Sequence, residues 1–187
     1  TRRGIGPTYA DKAMRVGLRV TPVNWHLTAE EAGYIVDDCE ATVFVADAKF
    51  AAAAEEAAAA APGLSAKIAI DGDIPGFERW DDVLGEHDGA PLEDPALGGT
   101  MLYTSGTTGR PKGVVYHHRG AYLLAMGTTV TWSVVIHPVY LTIVPLFHCN
   151  GWCHTWMMPM LGGQIVCCRD ITAKAIYDAI ADERVTH

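Results

Sequence analysis

The chain has 187 residues, 49% of them apolar, and a formal net charge of −8, enough for one packed domain or a piece of a larger one. That composition argues against disorder, and the acidic balance leaves no basic face for a nucleic-acid backbone. Five cysteines (Cys39, Cys149, Cys153, Cys167 and Cys168) follow no disulfide framework and no signal peptide opens the sequence, so a reducing cytoplasm is expected.

Thr28-Ala29-Glu30-Glu31 has the form of a capping box, after which Ala32, Ile35 and Val36 fall on one helical face. Thr42 to Ala46 is short and β-branched, which predicts a buried strand. The alanine run Ala51 to Ala61 is a helix by propensity, stopped at Pro62-Gly63. Lys67 to Ile70 is the next strand, and Gly85 to Gly99 is a loop rich in Gly, Pro and acids.

The alternation then repeats. Strands are expected at Thr100–Tyr103, Val114–His117, Tyr140–Val144 and Gln164–Cys167. Helices are expected from Ala121 to about Val130, from Trp152 to Leu161, and after Asp170, which would cap a helix lined by Ala173, Ile176, Ala179 and Ile180. Alternating strands and helices predict an α/β layer structure with a mostly parallel sheet. At His187 a further strand is due, so the chain reads as a partial domain.

From Gly120 to Cys168 there is no Asp, Glu, Lys or Arg, and Ala121 to Phe147 approaches the length and character of a membrane span. Pro138, Pro145, Pro159, the Gly162-Gly163 pair, three histidines and Asn150 interrupt it. Strands covered on both faces also shed charge, so stable membrane insertion is not expected.

The most informative stretch is Tyr103-Thr104-Ser105-Gly106-Thr107-Thr108-Gly109-Arg110-Pro111-Lys112-Gly113. Its glycines let the backbone approach a ligand, Thr104, Ser105, Thr107 and Thr108 add hydroxyl donors, and Lys112 adds a point charge. Such a concavity suits a polyphosphate, although a surface Gly/Thr hairpin would have the same composition. It is not the P-loop of NTPases, whose lysine directly follows the second glycine. The ordered string resembles the phosphate-binding signature of the AMP-forming adenylate superfamily, which includes acyl-CoA synthetases, luciferases and peptide-synthetase adenylation domains.

Two further stretches support that resemblance. Pro145-Leu146-Phe147-His148-Cys149-Asn150-Gly151-Trp152 is similar to the family's aromatic motif lining the acyl pocket, and Pro22 to Glu31 is similar to the segment entering the large domain. Val115 to Gly120, with Leu146 to Trp152, resembles the medium-chain and methylmercaptopropionate-type CoA ligases most. The resemblance implies the partial N-terminal large domain of an acyl-CoA synthetase over residues 21–187. Such an enzyme joins a carboxylic acid to ATP as an acyl-adenylate, releases pyrophosphate, and passes the acyl group to CoA. It implies that Thr104, Ser105, Gly106, Thr107, Thr108, Gly109 and Lys112 hold the β- and γ-phosphates, with Thr104 near Mg²⁺. It implies that His148 and Trp152 position the acyl group and close its pocket. A core histidine is the plainer reading of His148, and Cys149, Cys153, His148 and His154 lack the spacing of a closed zinc site.

The first twenty residues read differently. Gly4 to Arg15 resembles the signature of adenylosuccinate synthetase, with Arg3 and Lys12 at matching positions, and implies a foreign tail over 1–20 that is loosely docked or poorly ordered. The resemblance to acyl-CoA synthetases also implies a later tyrosine-glycine-threonine-glutamate motif, a ribose-binding aspartate and a catalytic lysine, none of which occurs before His187. A fragment inactive on its own is therefore expected; an adenylosuccinate synthetase fragment and a non-catalytic nucleotide-binding module are the alternatives.

Overall fold

The computed structural model describes residues 17–86, 90, 94–107 and 109–187. They form two bodies, one made of Pro95–Leu102 and Val114–His187 together with residues 17–22, the other of Val23–Asp94 and Tyr103–Gly113.

The second body starts with helix α1 (Ala29–Asp38), and its capping box forms as the sequence predicts. Glu31 N–H donates to Thr28 Oγ1 at 3.3 Å, and Thr28 N–H donates to Glu31 Oε2 at 2.9 Å. Two amide donors that a helix start would otherwise leave unpaired are thereby satisfied. Ile35 and Val36 are buried on its inner face. Strand β1 (Val43–Asp47) leads through a 3-10 turn into helix α2 (Ala51–Ala59), then strand β2 (Ala66–Ile70). The two strands pair in parallel, Val43 opposite Ala66 through Asp47 opposite Ile70. Parallel neighbours need a crossover between them, which α2 supplies. A two-residue strand, β3 (Glu78–Arg79), adds to β2 in parallel and runs straight into helix α3 (Trp80–Gly85). Ala54, Ala69 and Ile74 form the core, with Phe44 and Phe77 packed against it edge to face.

One expectation fails here. The first strand is not buried on both sides, because Val43 and Val45 are each 43% exposed. Within this body only the face carrying Phe44 and Ala46 packs against the core, so β1 alternates as a half-covered strand does.

In the first body, Arg19–Val20 forms strand β4, paired in parallel with strand β5 (Gly99–Tyr103). Gly17 N–H also donates to Ala96 O at 3.1 Å. The loosely docked tail expected over residues 1–20 therefore does not extend to 17–20. Its remainder, with Arg3, Lys12 and the Gly4–Arg15 signature, lies outside the described residues. Strand β6 (Gly113–Val115) completes the three-stranded sheet in the order β4-β5-β6. Helix α4 (His118–Thr131), strand β7 (Val139–Thr142), helices α5 (Cys149–Trp152) and α6 (His154–Met160), strand β8 (Gln164–Cys167) and helix α7 (Ala173–Glu183) follow. β7 and β8 pair in parallel, Val139 opposite Gln164 through Thr142 opposite Cys167. Thr186 N–H donates to Val139 O at 2.8 Å and Leu141 N–H to His187 O at 2.9 Å, so the last residues run beside β7.

The core of this body is Ala125, Val134, Met157 and Met158, with Tyr140, Trp156, Leu161 and Ile165 packed around it. The charge-free stretch supplies all of these residues. No described helix is long and apolar enough to cross a membrane. The last helix is capped by Thr172, whose hydroxyl accepts from Ala175 N–H at 3.2 Å, and not by Asp170.

Candidate functional site

The phosphate-loop residues lie in the turn that joins β5 to β6. Thr104 N–H donates to Lys112 O at 3.0 Å, and Lys112 N–H returns a bond to Thr104 Oγ1 at 3.0 Å. These bonds close the base of the loop and bring Thr104 and Lys112 side by side. Because the Thr104 hydroxyl accepts here, its own hydrogen stays available as a donor. Inside the loop, Gly109 N–H donates to Gly106 O at 3.1 Å.

Gly106 has φ +69°, and a Cβ there would lie 2.9 Å from both Gly109 O and Pro111 Cδ. Backbone conformation and space therefore both demand glycine. Thr104, Ser105, Thr107 and Lys112 are exposed. The result is a loop closed at its base and presenting hydroxyls and one ammonium to solvent, which suits an anion with several oxygens. Thr108, the remaining member of the predicted set, lies outside the described residues.

Metal binding by the protein alone is another matter. Among the described residues no three His, Cys, Asp or Glu side chains come together to hold a metal ion. Thr104 offers one neutral oxygen, and Mg²⁺ is ordinarily held by carboxylates, water and substrate phosphates. The described residues alone do not fit a resident Mg²⁺.

The aromatic motif belongs to the first body. His148 is exposed and serves as the N-cap of α5, its Nδ1 accepting from Asn150 N–H at 3.1 Å. That bond places the imidazole hydrogen on Nε2 when the ring is neutral. The plainer reading, a core histidine, is thereby excluded. Gly151 is buried, and a Cβ on it would meet Pro145 O at 2.6 Å and Val144 O at 2.7 Å, so α5 begins pressed against the segment leaving β7. Trp152 is 1% exposed, with its ring edge toward Trp156 at 5.8 Å. Its Nε1 has no hydrogen-bond partner among the described residues. His148 and Trp152 thus share one short helix, the first open to solvent and the second enclosed.

The buried histidine is His154. It stacks on Tyr140 with ring centroids 4.3 Å apart and planes 6° apart, and Trp132 lies 5.3 Å away. Burial holds its pKa below the ordinary imidazole value, while the Gly151 and Asn150 backbone, which acts in the opposite direction, approaches without closing a hydrogen bond.

Several residues around the phosphate loop were not assigned from sequence. Tyr34 and Asp38 lie four apart on α1 and share one face. Tyr103 O–H donates to Asp38 Oδ2 at 2.6 Å, and burial, then this bond, raises the tyrosine pKa well above its usual value. Tyr34 O–H faces Pro111 O at 3.0 Å, and the Arg110 guanidinium lies 5.0 Å from the Tyr34 ring centroid. The Tyr34–Asp38 spacing was the only signal in the sequence, and it carries no information about a loop 70 residues on.

Comparison with known proteins gives a consistent picture. The family model described as AMP-binding enzyme matches residues 13–187. That match takes in residues 13–20, so the adenylosuccinate synthetase resemblance gains no support from it. Acetate–CoA ligase CCL3 of Humulus lupulus is 49% identical over 102 residues, covering 54% of this chain and 18% of the relative. "Probable acyl-activating enzyme 21" of Arabidopsis thaliana is 32% identical over 188 residues, covering 94% of this chain and 34% of the relative. Among solved structures, the O-succinylbenzoate coenzyme A synthetase of Bacillus subtilis in complex with ATP and magnesium ion superposes with a TM-score of 0.76. Its identity is 19%, with 98% of this chain and 37% of that chain covered. The chain spans about a third or less of the length of these curated relatives. With 175 of its residues inside the family model, this chain belongs to the AMP-binding enzyme family and has the α/β fold of adenylate-forming enzymes.

Proposed function

We propose that residues 21–187 form part of the ATP-binding large domain of an acyl-CoA synthetase, in which the Thr104–Lys112 loop receives the β- and γ-phosphates of ATP. The observation that carries this reading is the loop's geometry: a base closed by two Thr104–Lys112 hydrogen bonds and a glycine at position 106 that no side chain can replace. A carboxylate is a poor electrophile. Attack on the α-phosphate of ATP gives an acyl-adenylate, expels pyrophosphate, and sets up displacement of AMP by the CoA thiol. Negative charge gathers on the departing pyrophosphate, and preorganised donors stabilise it without reorganising. Thr104, Ser105, Thr107 and Thr108 supply hydroxyls for that purpose, Gly106 and Gly109 allow close approach, and Lys112 supplies positive charge. Mg²⁺ carried in with the nucleotide would supply further charge neutralisation at the phosphates, and Thr104 is the residue of this loop that would help to hold it.

In the same reading His148 and Trp152 serve the acyl side. His148 has its Nδ1 committed to Asn150, which leaves Nε2–H as its donor toward an acyl carboxylate or adenylate oxygen. Trp152 contributes an enclosed aromatic wall. The acid in this reading is a short-to-medium-chain or fatty carboxylic acid, and the acetate ligase among the relatives supports the short end of that range. Cytoplasmic placement is part of this proposal and rests on five free thiols.

Titration calorimetry with magnesium pyrophosphate tests the loop assignment. The full chain should bind, and Lys112→Ala should weaken binding about tenfold, the loss of one charge-assisted contact. Gly106→Val should abolish it with the fold retained by circular dichroism. Equal affinity in all three proteins contradicts the assignment.

A further inference from the structure

Helix α1 reaches both limbs of the phosphate loop. On the incoming limb, the last residue of β5, Tyr103, donates its hydroxyl hydrogen to Asp38 Oδ2 at 2.6 Å. On the outgoing limb, Tyr34 contacts two consecutive residues. Its hydroxyl lies 3.0 Å from Pro111 O, and its ring lies under the Arg110 guanidinium at 5.0 Å. The same hydroxyl is 3.2 Å from Asp38 Oδ1, so a single hydrogen faces two acceptors and ties the loop carbonyl to the helix carboxylate. Asp38 thus collects both tyrosines, one from each side of the loop.

We propose that Tyr34 and Asp38 are positioning residues for the phosphate loop, a latch that fixes where the loop's two limbs sit relative to α1. This rests on the reading of the loop as a phosphate site. The two bonds at the loop's base, between Thr104 and Lys112, fix how the limbs meet but not where the loop sits relative to the helix. The latch supplies that second constraint. It also accounts for chemistry otherwise unexplained: an exposed aspartate carrying two tyrosine contacts, and a proline carbonyl held by a side chain 77 residues earlier. Neither residue touches ligand in this proposal. Their effect passes through the order of Arg110, Pro111 and Lys112, and a loop ordered before binding costs less to order on binding.

Hydrogen exchange by mass spectrometry on the ligand-free full chain separates the latch from general stability. Tyr34→Phe keeps the ring under Arg110 and removes only the hydroxyl. Asp38→Ala removes both acceptors, and Asp38→Asn keeps one carbonyl oxygen. Tyr34→Phe and Asp38→Ala should each speed exchange in a peptide covering residues 104–112 about fivefold, the equivalent of one lost hydrogen bond. Strands β1 and β2 should keep their protection, and Asp38→Asn should recover part of the loop's. Magnesium pyrophosphate affinity should fall severalfold in the first two variants and less in the third. Unchanged loop exchange in both Tyr34→Phe and Asp38→Ala overturns the latch, as does a uniform rise across the whole second body. Pyrophosphate binding by the unaltered chain with equal affinity in the variants overturns the latch alone. No pyrophosphate binding by the unaltered chain overturns the phosphate reading and the latch's role in it together.

Discussion

His154 shows how one residue links packing to pH. Its ring is 3% exposed and lies flat on Tyr140, with Trp132 close by, so its two nitrogens are shut away from water. A neutral imidazole tolerates that enclosure far better than an imidazolium, which is why burial lowers the pKa. Well above pH 6.5 the ring is neutral in both folded and unfolded chains, and stability does not depend on it. As pH falls through that value the unfolded chain takes up a proton more readily than the folded chain, so stability falls as pH falls. One proton sets an upper limit of about 1.4 kcal/mol per pH unit on that decline. Urea unfolding of the chain at pH 7.5, 6.5 and 5.5 should show the decline. His154→Phe, which keeps a flat ring against Tyr140, should flatten that decline. An identical pH dependence in that variant contradicts the assignment. His148, six residues earlier, behaves oppositely in structural terms: it is exposed, its Nδ1 occupied by a helix amide.

At the level of elements, the start of α1 is set by four residues. Thr28 and Glu31 satisfy each other's backbone amides, and burial of Ile35 and Val36 holds the helix down. Thr28→Ala removes one half of that exchange and should destabilise the chain by about 1 kcal/mol in urea unfolding. An undiminished midpoint would show that packing alone fixes this helix end. The capping box was readable in the sequence because it depends only on residues three apart. The parallel β1–α2–β2 unit was readable for a similar reason, since an alanine run between two short apolar strands leaves few alternatives. Other features were hidden because their causes are not local. β3 is a strand only because Glu78 and Arg79 meet the edge of β2, and the short α3 follows directly from it. The helix expected from Trp152 to Leu161 is found as α6 (His154–Met160), and the short α5 (Cys149–Trp152) before it was missed because a histidine takes the N-cap role usually given to Ser, Thr, Asp or Asn. Asp170 looked like a cap for α7, yet Thr172 has the geometry. The phosphate loop was legible as an ordered string of residue types, whereas its attachment to Tyr34 and Asp38 depends on tertiary contact that no spacing encodes.

Across the whole molecule, each of the two bodies has its own apolar core, and the phosphate loop and the aromatic motif fall on different ones. The stretch without charge from Gly120 to Cys168 supplies Met157, Met158 and Val166 to the interior. It also leaves Leu123, Val130 and Ile136 at 56%, 75% and 71% exposure. Membership of the AMP-binding family rests on a match along nearly the full chain, and the chemistry proposed for it rests on the loop between β5 and β6. Amide chemical shifts of isotopically labelled chain, followed during titration with magnesium pyrophosphate, test that assignment most directly. The account predicts saturable shifts at Ser105, Gly106, Thr107, Gly109 and Lys112, with α2 unaffected and the shifts abolished in Gly106→Val. Saturable shifts confined to other segments, or none in the loop at millimolar pyrophosphate, would contradict it.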